Sequence, residues 1–76
     1  MEKYTFQVIA LHNGTFVIKL FADGLFKGYY GPLDPTCDED TITSRLVTAQ
    51  NDAQPFAPRG AAMTYATETL TLAEQE

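Results

Sequence analysis

Between residues 3 and 30, short apolar runs are broken twice by pairs of turn residues, Asn13-Gly14 and Asp23-Gly24. Both central positions of a type I′ turn need positive φ, which Asn, Asp and Gly tolerate, so the spacing predicts three antiparallel strands in a meander. The strands are expected over 3–11, 15–22 and 25–30. Two two-residue loops would set His12 opposite Thr15 and Ala22 opposite Leu25, and that register assigns every side chain to a face. One face would collect Ile9, Leu11, Phe16, Ile18, Leu20, Ala22, Leu25 and Tyr29, with Gln7 and Lys27 toward its edges. The other would collect Tyr4, Phe6, Val8, Ala10, Val17, Phe21, Phe26 and Tyr30, with Lys19 among them. Neither face is polar enough to stand in water, so both should be covered.

Beyond Tyr30 the period changes. Gly31-Pro32-Leu33-Asp34-Pro35 ends the strand. Thr36 and Glu39 have capping-box spacing, and Asp38, Glu39 and Asp40 would occupy a first helical turn, where the macrodipole favours negative charge. A helix over 37–50 would align Ile42, Leu46 and Ala49, although the β-branched Thr41, Ile42, Thr43, Val47 and Thr48 oppose it. Pro55, Pro58 and Gly60 make 51–60 an extended loop, with Phe56 as its anchor. Residues 61–73 read as a Thr-rich strand, while Ala62, Ala66, Leu70 and Ala73 would also trace a helix face. Residues 74–76 are expected to fray.

The predicted class is therefore α+β: a small antiparallel sheet of three to four strands with one helix on one face, in the order β-β-β-α-β. An all-β arrangement is the alternative. A chain of 76 residues is expected to form a single domain over 1–76, without room for a second core. A hydrophobic content of 45% beside 20% charged residues is globular rather than disordered composition.

Charge narrows the partners. Ten acidic residues against five Lys and Arg give a net charge of −5, and the cations Lys3, Lys19, Lys27, Arg45 and Arg59 are scattered along the chain. Direct nucleic-acid binding and an anionic membrane are disfavoured, and a basic protein surface is favoured. Met1-Glu2-Lys3 opens no secretory signal, and no run reaches the ~18 apolar residues of a membrane helix. The expected compartment is the cytoplasm. Asn13-Gly14-Thr15 is then turn chemistry rather than a glycosylation acceptor.

No catalytic constellation emerges. Cys37 is the one cysteine, so no disulfide closes within the chain, and the three carboxylates that follow it disfavour the thiolate a nucleophile needs. His12 is the one histidine and has no metal or triad partner in sequence; Ser44 is the one serine and lacks a base. Counted from Asp34, a calcium loop would need Gly where Glu39 stands and Glu where Arg45 stands. Gly28-Tyr29-Tyr30-Gly31 runs into Pro32, which has no N–H, so it is no phosphate cradle. Neither enzyme activity, cofactor nor metal is expected.

Two surfaces remain. The acidic segment of Asp34, Asp38, Glu39 and Asp40 could meet basic residues of another protein. The aromatic set Tyr4, Phe6, Phe21, Phe26 and Tyr30 is either covered by the C-terminal segment through Phe56, Met63 and Tyr65 or used as an interface, with a partner or with a second copy in a homodimer. In size, acidity and lack of catalytic groups the chain resembles small phage or mobile-element proteins that inhibit a host protein, including anti-CRISPR and anti-restriction types. That resemblance implies a binding protein whose carboxylates occupy phosphate positions on a nucleic-acid-handling target. The alternative is a homo-oligomeric accessory or assembly subunit joined through the aromatic face.

Overall fold

The computed structural model describes residues 3–75. Three strands, β1 (Tyr4–Ala10), β2 (Phe16–Ala22) and β3 (Leu25–Tyr30), form the expected meander. A short helix α1 (Ile42–Arg45), a two-residue strand β4 (Leu46–Val47) and a 3₁₀ turn (Gln50–Asp52) follow. Helix α2 (Arg59–Thr64) continues through αR residues into a π-helical segment (Tyr65–Thr69), and β5 (Ala73–Glu74) closes the chain. The sheet has five strands in the order β4-β3-β2-β1-β5, with β5 parallel to β1 and the other pairs antiparallel. The class is α+β as expected, but the sheet is larger and the single main helix follows β4 rather than β3.

The two hairpins differ, and the difference moves half the sheet. Asp23 and Gly24 have φ of 53° and 82°, and Ala22 pairs with Leu25, so the second turn is the two-residue loop its sequence predicts. In the first, the Leu11 N–H donates to the Thr15 carbonyl at 2.8 Å and the Gly14 N–H donates to that of Leu11 at 3.3 Å. Gly14, at φ 85°, is therefore the left-handed residue that ends a three-residue loop. The Asn13 side chain accepts from the Thr15 N–H and hydroxyl, at 3.2 and 2.6 Å, and holds that geometry. Ala10 consequently faces Phe16 and Phe6 faces Leu20. One added loop residue turns all of β1 over relative to the expected register.

A second irregularity sits in β3. Phe26 pairs with Phe21 but Gly28 pairs with Leu20, leaving Lys27 as the extra residue of a bulge. At Gly28 a Cβ would lie 2.7 Å from the Val47 carbonyl oxygen, so the glycine is what lets β4 approach. The bulge exchanges the faces of Tyr29 and Tyr30. Both corrections converge on one result: Phe6 (0% exposed) and Tyr30 (2%) join Ile18 and Leu20 in the core, while Phe21, Phe26 and Tyr29 lie on the other side with Lys19.

Helix α2 covers the first side. Ala62 and Ala66, one turn apart and both fully buried, allow its backbone close to the sheet, and Met63, Tyr65 and Leu70 pack around them. The strand expected over 61–73 is thus overruled by the alanine spacing, since the threonines that suggested it, Thr64, Thr67 and Thr69, face solvent. The Thr67 hydroxyl donates back to the Met63 carbonyl at 2.9 Å, so the helix absorbs it without a strand.

The helix expected over 37–50 shrinks to one turn, because its β-branched residues favour the extended conformation once β3 offers an edge. Its cap also moves. Thr41 and Ser44 exchange the reciprocal bonds of a capping box, at 3.0 and 3.1 Å, while Thr36 bonds Asp34 instead. Phe56 anchors its loop as expected, exchanging two 2.8 Å backbone bonds with Phe16. The tail expected to fray is tied at Glu74, in β5, and at Gln75, whose N–H donates to the Phe6 carbonyl at 2.7 Å; Glu76 lies outside the described residues, as do Met1 and Glu2. Among the described residues no helix is long and apolar enough to cross a membrane.

Candidate docking surfaces

The acidic segment becomes a loop with tied ends. Gly31 and Arg45 face each other across the start of β4: the Gly31 N–H donates to the Arg45 carbonyl at 2.6 Å, and the Arg45 Nε donates to the Gly31 carbonyl at 3.1 Å. The same guanidinium reaches Asp40 through Nη1 at 3.2 Å and lies 4.2 Å from the centre of the Tyr30 ring. One side chain, itself only 10% exposed, thereby clamps both ends of residues 32–40. Arginine suits the position because its planar fork can stack on a ring and donate in two directions together.

Within the loop, the Asp34 carboxylate accepts from the Thr36 hydroxyl at 2.7 Å and the Thr36 N–H at 2.9 Å. Those bonds, the hydroxyl first, hold its carboxyl below the usual aspartate range. The Cys37 N–H donates to the Asp34 carbonyl at 3.0 Å. The four acidic residues therefore divide: Asp34 shapes the turn and Asp40 engages Arg45, whereas Asp38 and Glu39 are exposed and their carboxylates take no partner among the described residues. Two free carboxylates on a loop with fixed ends can present negative charge to a basic surface without first ordering the chain.

The aromatic set splits as well. Phe6 and Tyr30 are core residues, and Tyr4 is half-buried on the same side as Phe6. The Tyr30 hydroxyl bonds that of Tyr65 at 2.9 Å, and burial, then that bond, pushes the phenol above its ordinary value. Phe6 and Tyr30 are corrected from interface candidates to structural residues, because the first hairpin and the bulge place them in the core beneath α2. Phe21 and Phe26 remain on the opposite face. They stack edge-to-face at 6.2 Å, and Tyr29 joins Phe26 at 5.4 Å. The Lys19 ammonium lies 5.5 Å from the Phe21 ring centre and 5.0 Å from that of Phe26. Phe26 is 49% exposed and Leu25, at the hairpin tip, 67%.

Sequence reasoning missed Tyr29 and Arg45. A glycine inside a strand signals a bulge, and Gly28 is the residue that could have moved Tyr29 to its proper side. For Arg45 no local signal exists, since two of its contacts, Gly31 and Tyr30, lie fourteen and fifteen residues back in the chain.

Elsewhere a shallow cleft of about 230 Å³ is lined by Ala10, Leu11, His12, Asn13, Gln50 and Asn51. Its only titratable side chain is His12, and Asn13 is already committed to the turn. Among the described residues no group of three His, Cys, Asp or Glu could hold a metal ion. No protein-family model matches the chain, and neither a curated protein nor a solved structure matches it.

Proposed function

We propose that this chain is a small acidic protein-binding module, without enzymatic activity, that docks on a larger protein with a basic surface through the loop of residues 32–40. The observation that carries the reading is the division of labour among its carboxylates. Asp34 and Asp40 shape the loop, Arg45 clamps it, and Asp38 and Glu39 are left free at the surface. A target that handles nucleic acid fits this best, because its Lys and Arg respond to negative charge on a carboxylate as on a phosphate. An inhibitor of the anti-CRISPR or anti-restriction type, acting in the cytoplasm, is the specific form we propose.

The test is capture of partners from host lysate on the immobilised protein, eluted with graded salt, beside a variant carrying Asp38→Asn and Glu39→Gln. The reading expects a basic partner released at moderate salt and held about tenfold more weakly by the variant, since surface pairs of this kind are screened by ions. Equal retention by the two proteins would remove the acidic loop from the interface. A homo-oligomer joined through the aromatic face is the second reading; the exposure of Phe26 speaks for it and the charge of the neighbouring Lys19 against it. Sedimentation at micromolar concentration decides it, because a clean monomer leaves that reading without support.

A further inference from the structure

We infer that the Lys19, Phe21, Phe26 and Tyr29 end of the sheet face opposite α2 is a second docking surface, of opposite sign to the acidic loop, that accepts a partner-protein segment bearing a carboxylate among apolar side chains. The inference goes beyond the proposed function and does not depend on it.

The argument begins with what this face lacks. The paired strand residues on this side are Thr5, Gln7 and Ile9 in β1, Val17, Lys19 and Phe21 in β2, and Phe26 and Tyr29 in β3, together with Val47 of β4 and Ala73 of β5; Val17 is buried, so the accessible part is the end with Lys19, Phe21, Phe26 and Tyr29. None is acidic, in a chain with ten acidic residues, and the single charge is Lys19. Among the described residues Lys19 has no ion-pair partner. Its ammonium is held over Phe21 and Phe26, which orders the side chain while leaving the positive charge without a counter-charge. Phe21, Phe26 and Tyr29 form a contiguous apolar surface around it, outside the core cluster beneath α2. An ordered cation framed by rings is matched by a carboxylate with apolar neighbours, whose desolvation the rings share.

Charge also selects among occupants. A second copy placed on this face by a two-fold axis would bring one Lys19 toward the other with no carboxylate between them, so self-pairing is disfavoured. Nucleic acid would need several clustered cations to offset the repulsion of a chain with net charge −5. An acidic, apolar peptide segment meets neither objection.

The test is a nuclear magnetic resonance titration of the whole, isotope-labelled protein with a short synthetic peptide in which Glu alternates with Leu, and with a matched peptide carrying Lys for Glu. The expected result is saturable shifts at Lys19, Phe21, Phe26 and Tyr29, with the Glu peptide bound about tenfold more tightly than the Lys peptide. Lys19→Gln should remove most of that preference, and Phe26→Ser should weaken both peptides; the amide spectrum of each variant reports whether it is folded. The inference is overturned if the two peptides bind alike, if the Glu peptide does not bind, or if the shifts fall elsewhere. It is also overturned if oligothymidylate displaces the peptide, or if this face shifts with protein concentration alone. The variant carrying Asp38→Asn and Glu39→Gln should titrate as the parent does, so failure here is distinct from failure of the acidic-loop reading.

Discussion

Arg45 joins three parts of the chain at a single side chain, and its contacts differ in worth. The bond to the Gly31 carbonyl and the stack on Tyr30 are mostly shielded from water, whereas Asp40 is 55% exposed and its pairing is screened. Arg45→Met should therefore cost about 1.5–3 kcal/mol, the range for a lost hydrogen bond to a charged group, and Asp40→Asn no more than about 1 kcal/mol. Urea unfolding of the two variants measures both. Equal losses would mean that the ion pair, not the carbonyl bond and the stack, holds the loop. The same reasoning ranks the acidic residues for binding: Asp38 and Glu39 can be changed with little structural effect, and Asp40 at the modest cost of a screened ion pair. Legibility at this scale follows locality. Asp23-Gly24 could be read directly because both its turn angles are intrinsic to the two residues, while Arg45 owes its role to partners fourteen and fifteen positions back in sequence, at Gly31 and Tyr30.

Among the elements, helix α2 and its π-helical extension show how a weak local preference is overruled. The segment reads as a Thr-rich strand in isolation, with a helix face as the alternative, and the buried pair Ala62 and Ala66 decides for the helix once a sheet is present to receive them. The exit from that helix is strained. Thr71 has φ 53°, a left-handed conformation that a β-branched residue rarely adopts, and it turns the chain so that the Leu72 N–H reaches the Ala66 carbonyl at 2.9 Å. Glycine would relieve a cost of about 1–2 kcal/mol, less roughly 0.5–1 kcal/mol for the greater freedom of the unfolded chain. Thr71→Gly should thus raise stability by about 0.5–1 kcal/mol in thermal or urea melts. A loss would mean that the Thr71 hydroxyl, which donates to the Leu70 carbonyl at 2.6 Å, matters more than the backbone strain. The hairpins carry the complementary lesson. Asn13-Gly14 was recognisable as a turn, but whether Gly14 closes a two-residue or a three-residue loop depends on the strands it joins, and that one residue determines which side of β1 is buried.

For the molecule as a whole, the margin of stability is narrow. The fully buried large side chains are few, Tyr30, Phe6, Ile18, Leu20 and Val17, and a domain of this size seldom exceeds about 3–5 kcal/mol from such a core. Phe6→Ala, at about 3–5 kcal/mol for a large-to-small change, should leave the chain mostly unfolded by circular dichroism at room temperature. Phe26→Ser, on the uncovered face, should cost less than about 1 kcal/mol and keep the fold. If the two behaved alike, the assignment of faces would be wrong and both docking surfaces would have to be redrawn. The amino-acid sequence by itself determined the meander, its second turn, the end of β3 at Gly31 and the concentration of acidic residues over 34–40. Each of these depends on residues adjacent in the chain, where backbone preference and charge act directly. Tertiary structure alone decided which aromatics are buried, where residues 37–50 and 61–73 would become helix or strand, and which carboxylates stay free. Those outcomes turn on a one-residue register and on contacts between segments far apart in sequence, and short segments gain most of their conformational bias from the surface they pack against.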